Sequence, residues 1–289
     1  MSYQLVAELQ KKAIAVNQVC RVLHVSRSGY YAAQKRSQQE PRTCSLGVHL
    51  RAAFARSGRT YGSRRLLTAL RHQGITLGRH RVRSLMRRSQ LRTVWKRKFV
   101  NTTDSRHDLP VSGNLLARQF NPARPNQAWV CDITYIRTRS GWLYLAVVMD
   151  LFARKVVGWA MAPDMPASLV CTALRMAIAQ RAPAPGLIVH SDRGSQYASA
   201  AHQALLSQHG LVGSMSRKGN CWDNAVMERF FLSLKMERVW QQDYANHSEA
   251  MRDIADYIVG FYNNVRLHSK LGNLPPSAYE AQMAAVSPI

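Results

Sequence analysis

The pattern of apolar and polar positions changes near residue 122. Before that point, apolar residues recur every three or four positions, as Val16, Val19, Cys20 and Leu23 do, and this spacing is typical of helices. It predicts two or three short helices within residues 3–34 and one helix in each of 63–72 and 77–88. From residue 128 onward the apolar positions alternate or run together, which is typical of strands.

The second part of the chain predicts an ordered series of strands and helices. Three strands come first, with Gly141 in the turn between the first two, and strands and helices then alternate. The predicted strands are 129–138, 142–151, 155–161, 186–190 and 211–215, and the predicted helices are 167–180, 198–209 and 224–237. This order predicts an α/β layer fold.

Polar and proline-containing segments set the expected domain boundaries. We expect a helix-turn-helix-like segment at 1–40, a basic helical domain at 41–100, a linker at 101–121, an α/β core at 122–240, and a C-terminal helix and tail at 241–289.

Charge separates the two parts more sharply than hydropathy does. The formal net charge is +24, and residues 1–121 hold 24 Lys and Arg against 4 Asp and Glu. Residues 122–289 hold 16 and 12. The first part is therefore expected to bind a polyanion.

The helix predicted at 77–88 carries arginines on its polar faces, and no acid occurs between residues 41 and 103. A solvated helix normally mixes in acids for i,i+4 pairing, so this one is expected to meet phosphates. The candidate nucleic-acid contacts here are Arg64, Arg65, Arg79, Arg81, Arg83, Arg87, Arg88, Lys96, Arg97 and Lys98. Whether the first helices also touch DNA or only pack stays open.

Several classes are excluded. A hydrophobic fraction of 46% argues against wholesale disorder, and the apolar run at 143–149 is too short for a membrane span. Five cysteines without a C-x-x-C pair do not suggest a disulfide framework, and Cys20, His24, Cys44 and His49 fit no zinc spacing. With no signal peptide in the first twenty residues, we expect a soluble cytoplasmic protein.

Three acids stand where an α/β fold places its chemistry. Asp132 lies inside the first strand, Asp192 follows the strand at 186–190, and Glu228 lies 35 residues later in a helix. A carboxylate in a strand centre needs a charge partner or a metal. Asp150 is the strongest rival, while Asp223 is expected to cap the Glu228 helix and Glu237 to be solvated.

Three converging carboxylates repel one another and need cations, and hard oxygen ligands suit Mg²⁺ or Mn²⁺. A pair of such ions is a clamp for phosphodiester chemistry. Lys235 lies two turns after Glu228 and is a candidate phosphate contact, as are Arg217 and Lys218 in the loop upstream. His190 and Asn224 are expected to support the site. Trp222 is expected to pack, with base stacking as the alternative.

The runs around these acids resemble DDE transposases of bacterial insertion sequences, of the IS-three type encoded by a second reading frame. The matching segments are 61–65, 129–135, 190–197, 216–224, Glu228, 230–231, 234–235, 262–264, Arg266, His268 and 275–276. Arg229 departs from the family pattern, where a small polar residue is expected.

The resemblance implies an RNase H-like catalytic core, a mixed five-stranded sheet flanked by helices, preceded by small helix-turn-helix-like DNA-binding domains. Asp132, Asp192 and Glu228 would be catalytic and would hold two Mg²⁺ or Mn²⁺ ions. The 3′ hydroxyl released by hydrolysis would attack a second phosphodiester.

The implied partners are double-stranded DNA (terminal inverted repeats and target), a second copy of the chain on DNA, and an upstream-frame protein or fusion. Two alternatives remain, a catalytically silent DNA-binding regulator and an RNase H-type nuclease. Sequence specificity and oligomeric state are not readable from the chain.

Overall fold

The computed structural model describes residues 2–38, 45–94, 111–217 and 221–286. The chain divides into two compact units, residues 1–51 and 52–289.

The first unit is helical, as its apolar spacing predicts. Helices α1 (Ser2–Lys11), α2 (Val16–Val22) and α3 (Arg27–Gln38) enclose a small core of Val6, Val19, Cys20 and Tyr30. The Gly29 N–H donates to Ser26 Oγ at 3.3 Å, so Ser26 caps α3. Helix α4 (Ser45–Arg56) continues from this unit into the next.

Two further helices carry the basic character of the second unit. Helix α5 (Ser63–Arg71) buries Leu66 and Leu70, and α6 (Arg79–Arg88) buries Val82 and Leu85. Helix α6 begins two residues later than its apolar pattern predicts, because Gly78 before it is extended (φ −80°, ψ 149°). All five arginines of α6 are exposed.

The sheet of the described residues has five strands in the order β3-β2-β1-β4-β5. The strands are β1 (Ala128–Thr138), β2 (Gly141–Asp150), β3 (Lys155–Ala162), β4 (Ile188–Ser191) and β5 (Val212–Met215). The first three are antiparallel, whereas β1, β4 and β5 are parallel. The mixed five-stranded sheet of the RNase H-like fold class is thus confirmed. Gly141 opens β2 at φ +117°, as its place in the hairpin turn requires.

Helices cover both faces of the sheet. One face packs on α7 (Ala167–Arg181), α8 (Ser195–Ala198) and α9 (Ala200–Gln208), and the other on α10 (Ala225–Glu237) and α11 (His247–Asp256). Helix α11 continues into a π-helical turn at Tyr257–Tyr262, and α12 (Pro276–Val286) follows.

Strand alternation decides which side chains meet which helices. Trp129 and Cys131 of β1 lie in the core that contains α7 and α9, whereas Val130 and Ile136 lie in the core that contains α10. The even-numbered position Asp132 therefore faces α10. None of the described helices is long and apolar enough to cross a membrane.

The contact between β3 and α7 depends on Gly158. A Cβ at this buried position would collide with the Ala173 carbonyl oxygen and come within 2.8 Å of the Ala177 backbone nitrogen. We predict that Gly158→Ala destabilises the protein by about 1–3 kcal/mol, because helix and sheet must separate. Gly113→Ala, where a Cβ meets nothing within 4 Å, is the control and should stay within about 0.5 kcal/mol. Equal midpoints in urea unfolding for the two variants would contradict this packing.

Candidate active site and nucleic-acid interface

The parallel pairing of β1 and β4 sets Asp132 beside Asp192. Ala128 pairs with Ile188 and Val130 with His190, a constant offset of 60 positions. The same offset, carried two residues further, sets Asp132 level with Asp192, the residue that follows β4. Asp192 thus lies where β4 ends, at the edge of the sheet that usually carries an α/β site, and Asp132 lies beside it within β1.

Helix α10 brings Glu228 to the same face. Met227, Phe230 and Leu234 are buried against the core that contains Val130, and they fix the helix on the side that Asp132 faces. Glu228 lies in the first turn of α10 with its side chain exposed. The charge of Glu228 acts on Asp132, so the third predicted acid lies within electrostatic range of the first.

The site concentrates negative charge. Burial raises the pKa of Asp132 well above its ordinary value, and the charges of Asp192 and Glu228 raise it further. The Ile133 N–H, which donates to Asp132 Oδ1 at 2.8 Å, lowers it. Burial also raises the pKa of Glu228. A carboxylate cluster of this kind favours a bound cation.

The donor set fits a hard divalent cation, because all three side chains offer only carboxylate oxygens. The three carboxylates lie further apart than the ligands of one metal ion do. In the described parts of the chain, no three His, Cys, Asp or Glu side chains are grouped closely enough to hold an ion. The sheet register and α10 therefore place the three acids around one sheet edge without gathering them at a common point.

Lys235 brings a positive charge to the neighbourhood of Asp132. Its Nζ lies 4.3 Å from the centroid of the Tyr135 ring. Burial lowers its pKa, and the charge of Asp132 opposes that shift. Lys235 is therefore a half-buried neighbour of Asp132 and not a solvated surface lysine.

His190 ties the strand that leads to Asp192 to its neighbour. Its Nδ1 lies 2.9 Å from Ser214 Oγ and its Nε2 lies 3.2 Å from Ser216 Oγ. Ser214 Oγ already accepts the N–H groups of Leu115 and Leu116, so its own proton goes to Nδ1 and the imidazole proton sits on Nε2. Burial lowers the pKa of His190 to about 4, which keeps the ring neutral.

Asn224 joins the start of α10 to the strand beside it. Its Nδ2 donates to the Cys131 carbonyl at 3.2 Å, one residue before Asp132. Its Oδ1 is buried and has no partner among the described residues. The amide therefore holds the Glu228 helix against the Asp132 strand and leaves one acceptor available.

The expectation that Asp223 caps α10 is wrong. Its carboxylate instead accepts from the Arg217 N–H at 3.0 Å and from the side chains of Arg217, Arg118 and Asn114. These hydrogen bonds lower the pKa of Asp223, and the bond from the Arg217 side chain has the largest effect. The charge of Arg217 is thereby paired, although this side chain was a predicted DNA contact.

The expectation that Glu237 is solvated is also wrong. Both its oxygens accept from Arg266 at 2.7 Å, and Tyr257 Oη donates to it at 2.8 Å. Arg65 lies 3.7 Å away. Tyr61 reinforces this link, since its hydroxyl donates to the Val265 carbonyl and accepts from the Leu267 N–H. Residues near α5 are thus bonded to the C-terminal segment of the core.

Two other expectations are resolved by burial. Trp222 is 69% exposed, so the expectation that it packs is wrong. Asp150 is fully buried and accepts from the N–H groups of Asn126 and Phe152, with Arg181 beside it. Asp150 is therefore bound into the fold and is no rival for the site.

Apart from Arg217 and Lys235, the predicted DNA contacts fall into three groups. Arg64 and the α6 arginines are exposed, as a phosphate-binding surface requires. Arg65 is half-buried between Tyr61 and Glu237. Lys96, Arg97, Lys98 and Lys218 lie outside the described residues.

Comparison with known proteins agrees with this architecture. Two models described as integrase core domain match residues 122–221 and 209–276, and one described as HTH-like domain matches residues 45–99. An "insertion element IS600 uncharacterized 31 kDa protein" from Shigella sonnei is 46% identical, covering 92% of this chain and 100% of the relative. "Transposase InsF for insertion sequence IS3A" from Escherichia coli K12 is 44% identical, covering 94% and 96%.

The chain therefore belongs to the family of insertion-sequence transposases with an integrase core, enzymes that transfer polynucleotide strands. As an insertion-sequence transposase, the protein binds DNA and integrates it. Among solved structures, an intasome of simian T-cell lymphotropic virus with the PP2A regulatory subunit B56 gamma is 16% identical. It covers 74% of this chain and 69% of its own, with a TM-score of 0.48.

The pairing of Glu237 with Arg266 generates a stability prediction. Glu237→Gln leaves the Arg266 guanidinium, which is 4% exposed, without its counter-charge, and we predict a loss of about 3–5 kcal/mol. Asp243→Asn removes one partner of the exposed Arg139 ion pair and should leave the stability nearly unchanged, because solvent screens exposed pairs. Denaturant unfolding measures both, and a Glu237→Gln loss as small as the control's would contradict the buried network.

Proposed function

We propose that this transposase cuts and joins DNA with Asp132, Asp192 and Glu228 as the groups that hold its catalytic metal ions. The observation that carries the proposal is the β1–β4 register, which sets two aspartates level at one sheet edge while α10 presents Glu228 to the same face. Negative charge gathered at a half-buried edge suits a cation.

The three carboxylates are oxygen donors of the kind that Mg²⁺ and Mn²⁺ prefer. A pair of such ions, when bound, activates the attacking oxygen and stabilises the leaving oxygen of an in-line displacement. The same centre then serves both reactions, first with water as nucleophile and then with the released 3′ hydroxyl.

Other residues of the chain position this centre. Lys235, next to Asp132, is placed to balance carboxylate charge or to hold a phosphate oxygen. His190 fixes the end of β4 through Ser214 and Ser216. Asn224 fixes the start of α10 against β1. The strand that leads to Asp192 and the helix that carries Glu228 are therefore anchored close to these acids.

The exposed arginines of α6 supply the grip on duplex DNA. Each ion pair with a phosphate releases counterions, so affinity should fall steeply with salt. We propose that the helical segments of residues 1–100 bind element ends, that residues 122–240 act on them, and that pairing two ends requires at least two copies of the chain. An upstream-frame protein is a further proposed partner, and the proposed location is the cytoplasm, with the nucleoid DNA.

The proposal predicts a separation of binding from chemistry. Asp132→Asn should abolish cleavage and strand transfer of duplex carrying the element's terminal inverted repeats, by at least about 10³-fold. Metal-free DNA affinity and fold should survive, because the substitution removes a buried charge that its neighbours repel. Asp164→Asn, at an exposed position after β3, is the matched control and should stay active.

Gel assays of cleavage and joining, with thermal unfolding of each variant, provide the measurement. Strand transfer by a folded Asp132→Asn protein would overturn the assignment of Asp132. Preferential cleavage of an RNA–DNA hybrid over element-end duplex would favour the RNase H-type alternative, and wild-type protein that binds ends without cutting them would favour the regulator.

A further inference from the structure

A basic groove runs along α10 on the side of the helix that carries Arg229, Ser233 and Glu237. Its volume is about 1050 Å³, and α10 lines it with Arg229, Ser233 and Glu237. The facing wall includes Arg65 of α5 and Arg154 from the turn between β2 and β3. We refer to this cavity as the α10 groove.

Positive charge in the α10 groove is far from balanced. Among its described lining residues, Glu237 is the only carboxylate, and it is bonded to Arg266 and lies near Arg65. Arg154, Arg229 and Lys270 also line the groove, and none has a carboxylate partner among the described residues. At least three cations therefore face the groove without a counter-charge.

Arg154 is the most telling of these cations. It is 8% exposed and adopts φ +54°. Its Nη2 donates to the Phe120 carbonyl at 2.7 Å and to Asn121 Oδ1 at 3.0 Å, whereas its Nη1 is buried with no partner among the described residues. A buried guanidinium with an unused donor is costly unless an anion completes it.

The pKa of His268 shows the effect of the positive charges around the groove. This pKa is lowered to about 3, first by burial and then by the charges of Arg266, Arg65 and Arg154. Three guanidinium groups act together on one ring. The groove therefore carries a positive potential around His268, to which Arg154 contributes.

The α10 groove continues into a second basic cavity. Gly62 and Thr93 line both, and the second is also lined by Arg83, Arg87 and Arg92. Positive charge thus follows a continuous track from α6 to α10. A linear polyanion fits such a track better than an isolated small anion does.

We propose that the α10 groove holds the phosphodiester backbone of duplex DNA, with the exposed Arg229 and Lys270 contacting its phosphates and Arg154 adding its positive charge from the groove wall. The inference rests on the proposed function and extends it by giving the DNA a path. Adjacent helix positions are about 100° apart, so Arg229 lies about a quarter turn around α10 from Glu228, and a strand that it holds runs along the helix that carries this acid. The departure of Arg229 from the family pattern thereby acquires a role.

The test compares two single-charge removals in the full chain. Arg229→Gln takes a cation from the groove, whereas Arg175→Gln takes one from an exposed position on α7, on the opposite face of the sheet. DNA affinity is measured by fluorescence anisotropy over a salt series without divalent cations. We expect Arg229→Gln to reduce the slope of log affinity against log salt by about 0.9, and Arg175→Gln to keep the wild-type slope.

Equal slopes for the two variants would overturn the proposal, because charge would then act diffusely. Arg154→Gln, with thermal unfolding to verify its fold, should reduce the slope as Arg229→Gln does. If Arg154→Gln does not fold, the Arg229→Gln and Arg175→Gln pair still decides. Since this assay needs no metal, its failure leaves the Asp132→Asn result untouched, and the reverse also holds.

Two further arms identify the occupant. A neutral methylphosphonate is placed at successive positions of the DNA, and the loss of affinity is measured at each. At one position this loss should not add to the loss caused by Arg229→Gln, which locates the contacted phosphate. If the two losses add at every position, Arg229 does not contact the DNA. A different result would show that the groove takes a free anion instead. In that case inorganic phosphate would stabilise wild type but not Arg154→Gln, while the two proteins kept the same DNA affinity.

Discussion

The pairing of β1 with β4 is the constraint on which the site depends. A parallel register with one fixed offset sets Asp132 level with Asp192, and a shift of one residue would turn one of the two side chains to the opposite face of the sheet. His190 anchors β4 on its other side, because its ring is hydrogen-bonded to two serines of the β5 side. Packing of Met227 and Leu234 then decides where Glu228 lies. Core packing and hydrogen bonding therefore hold the three acids around one edge of the sheet, although the repulsion between their charges would separate them.

A second set of contacts joins the DNA-binding helices to this core. Arg266 and Glu237 form a buried ion pair, with Arg65 of α5 beside it, and the Tyr61 hydroxyl bonds the backbone on both sides of Arg266. The cationic part of the chain is thus bonded to the segment that packs behind α10. This arrangement forms the α10 groove, in which cations outnumber carboxylates. The proposed metal ligand Glu228 and the proposed DNA contact Arg229 consequently lie on one helix.

The sequence predicted features that depend on local periodicity and missed those that depend on distant partners. The strands, most helices and the positions of Asp132, Asp192 and Glu228 follow from alternation and helical spacing. Asp223 was misassigned because Arg217 of the preceding loop and the distant Arg118 bind its carboxylate in place of the α10 backbone. Glu237 was misassigned because its partner Arg266 lies far away along the chain and leaves no local signal. The same holds for Trp222, whose neighbours do not indicate its exposure. An acid in a strongly basic chain is nonetheless a signal, since few such residues occur and several are buried.

The central claim is that Asp132, Asp192 and Glu228 bind divalent cations together. The most direct test is a crystal structure of the protein on element-end DNA with Mn²⁺, whose anomalous scattering locates each ion. The account predicts peaks at the β1–β4 edge with oxygens of all three carboxylates within about 2.0–2.6 Å. Ions held elsewhere, or a Glu228 that stays remote from ions bound by the two aspartates, would contradict it.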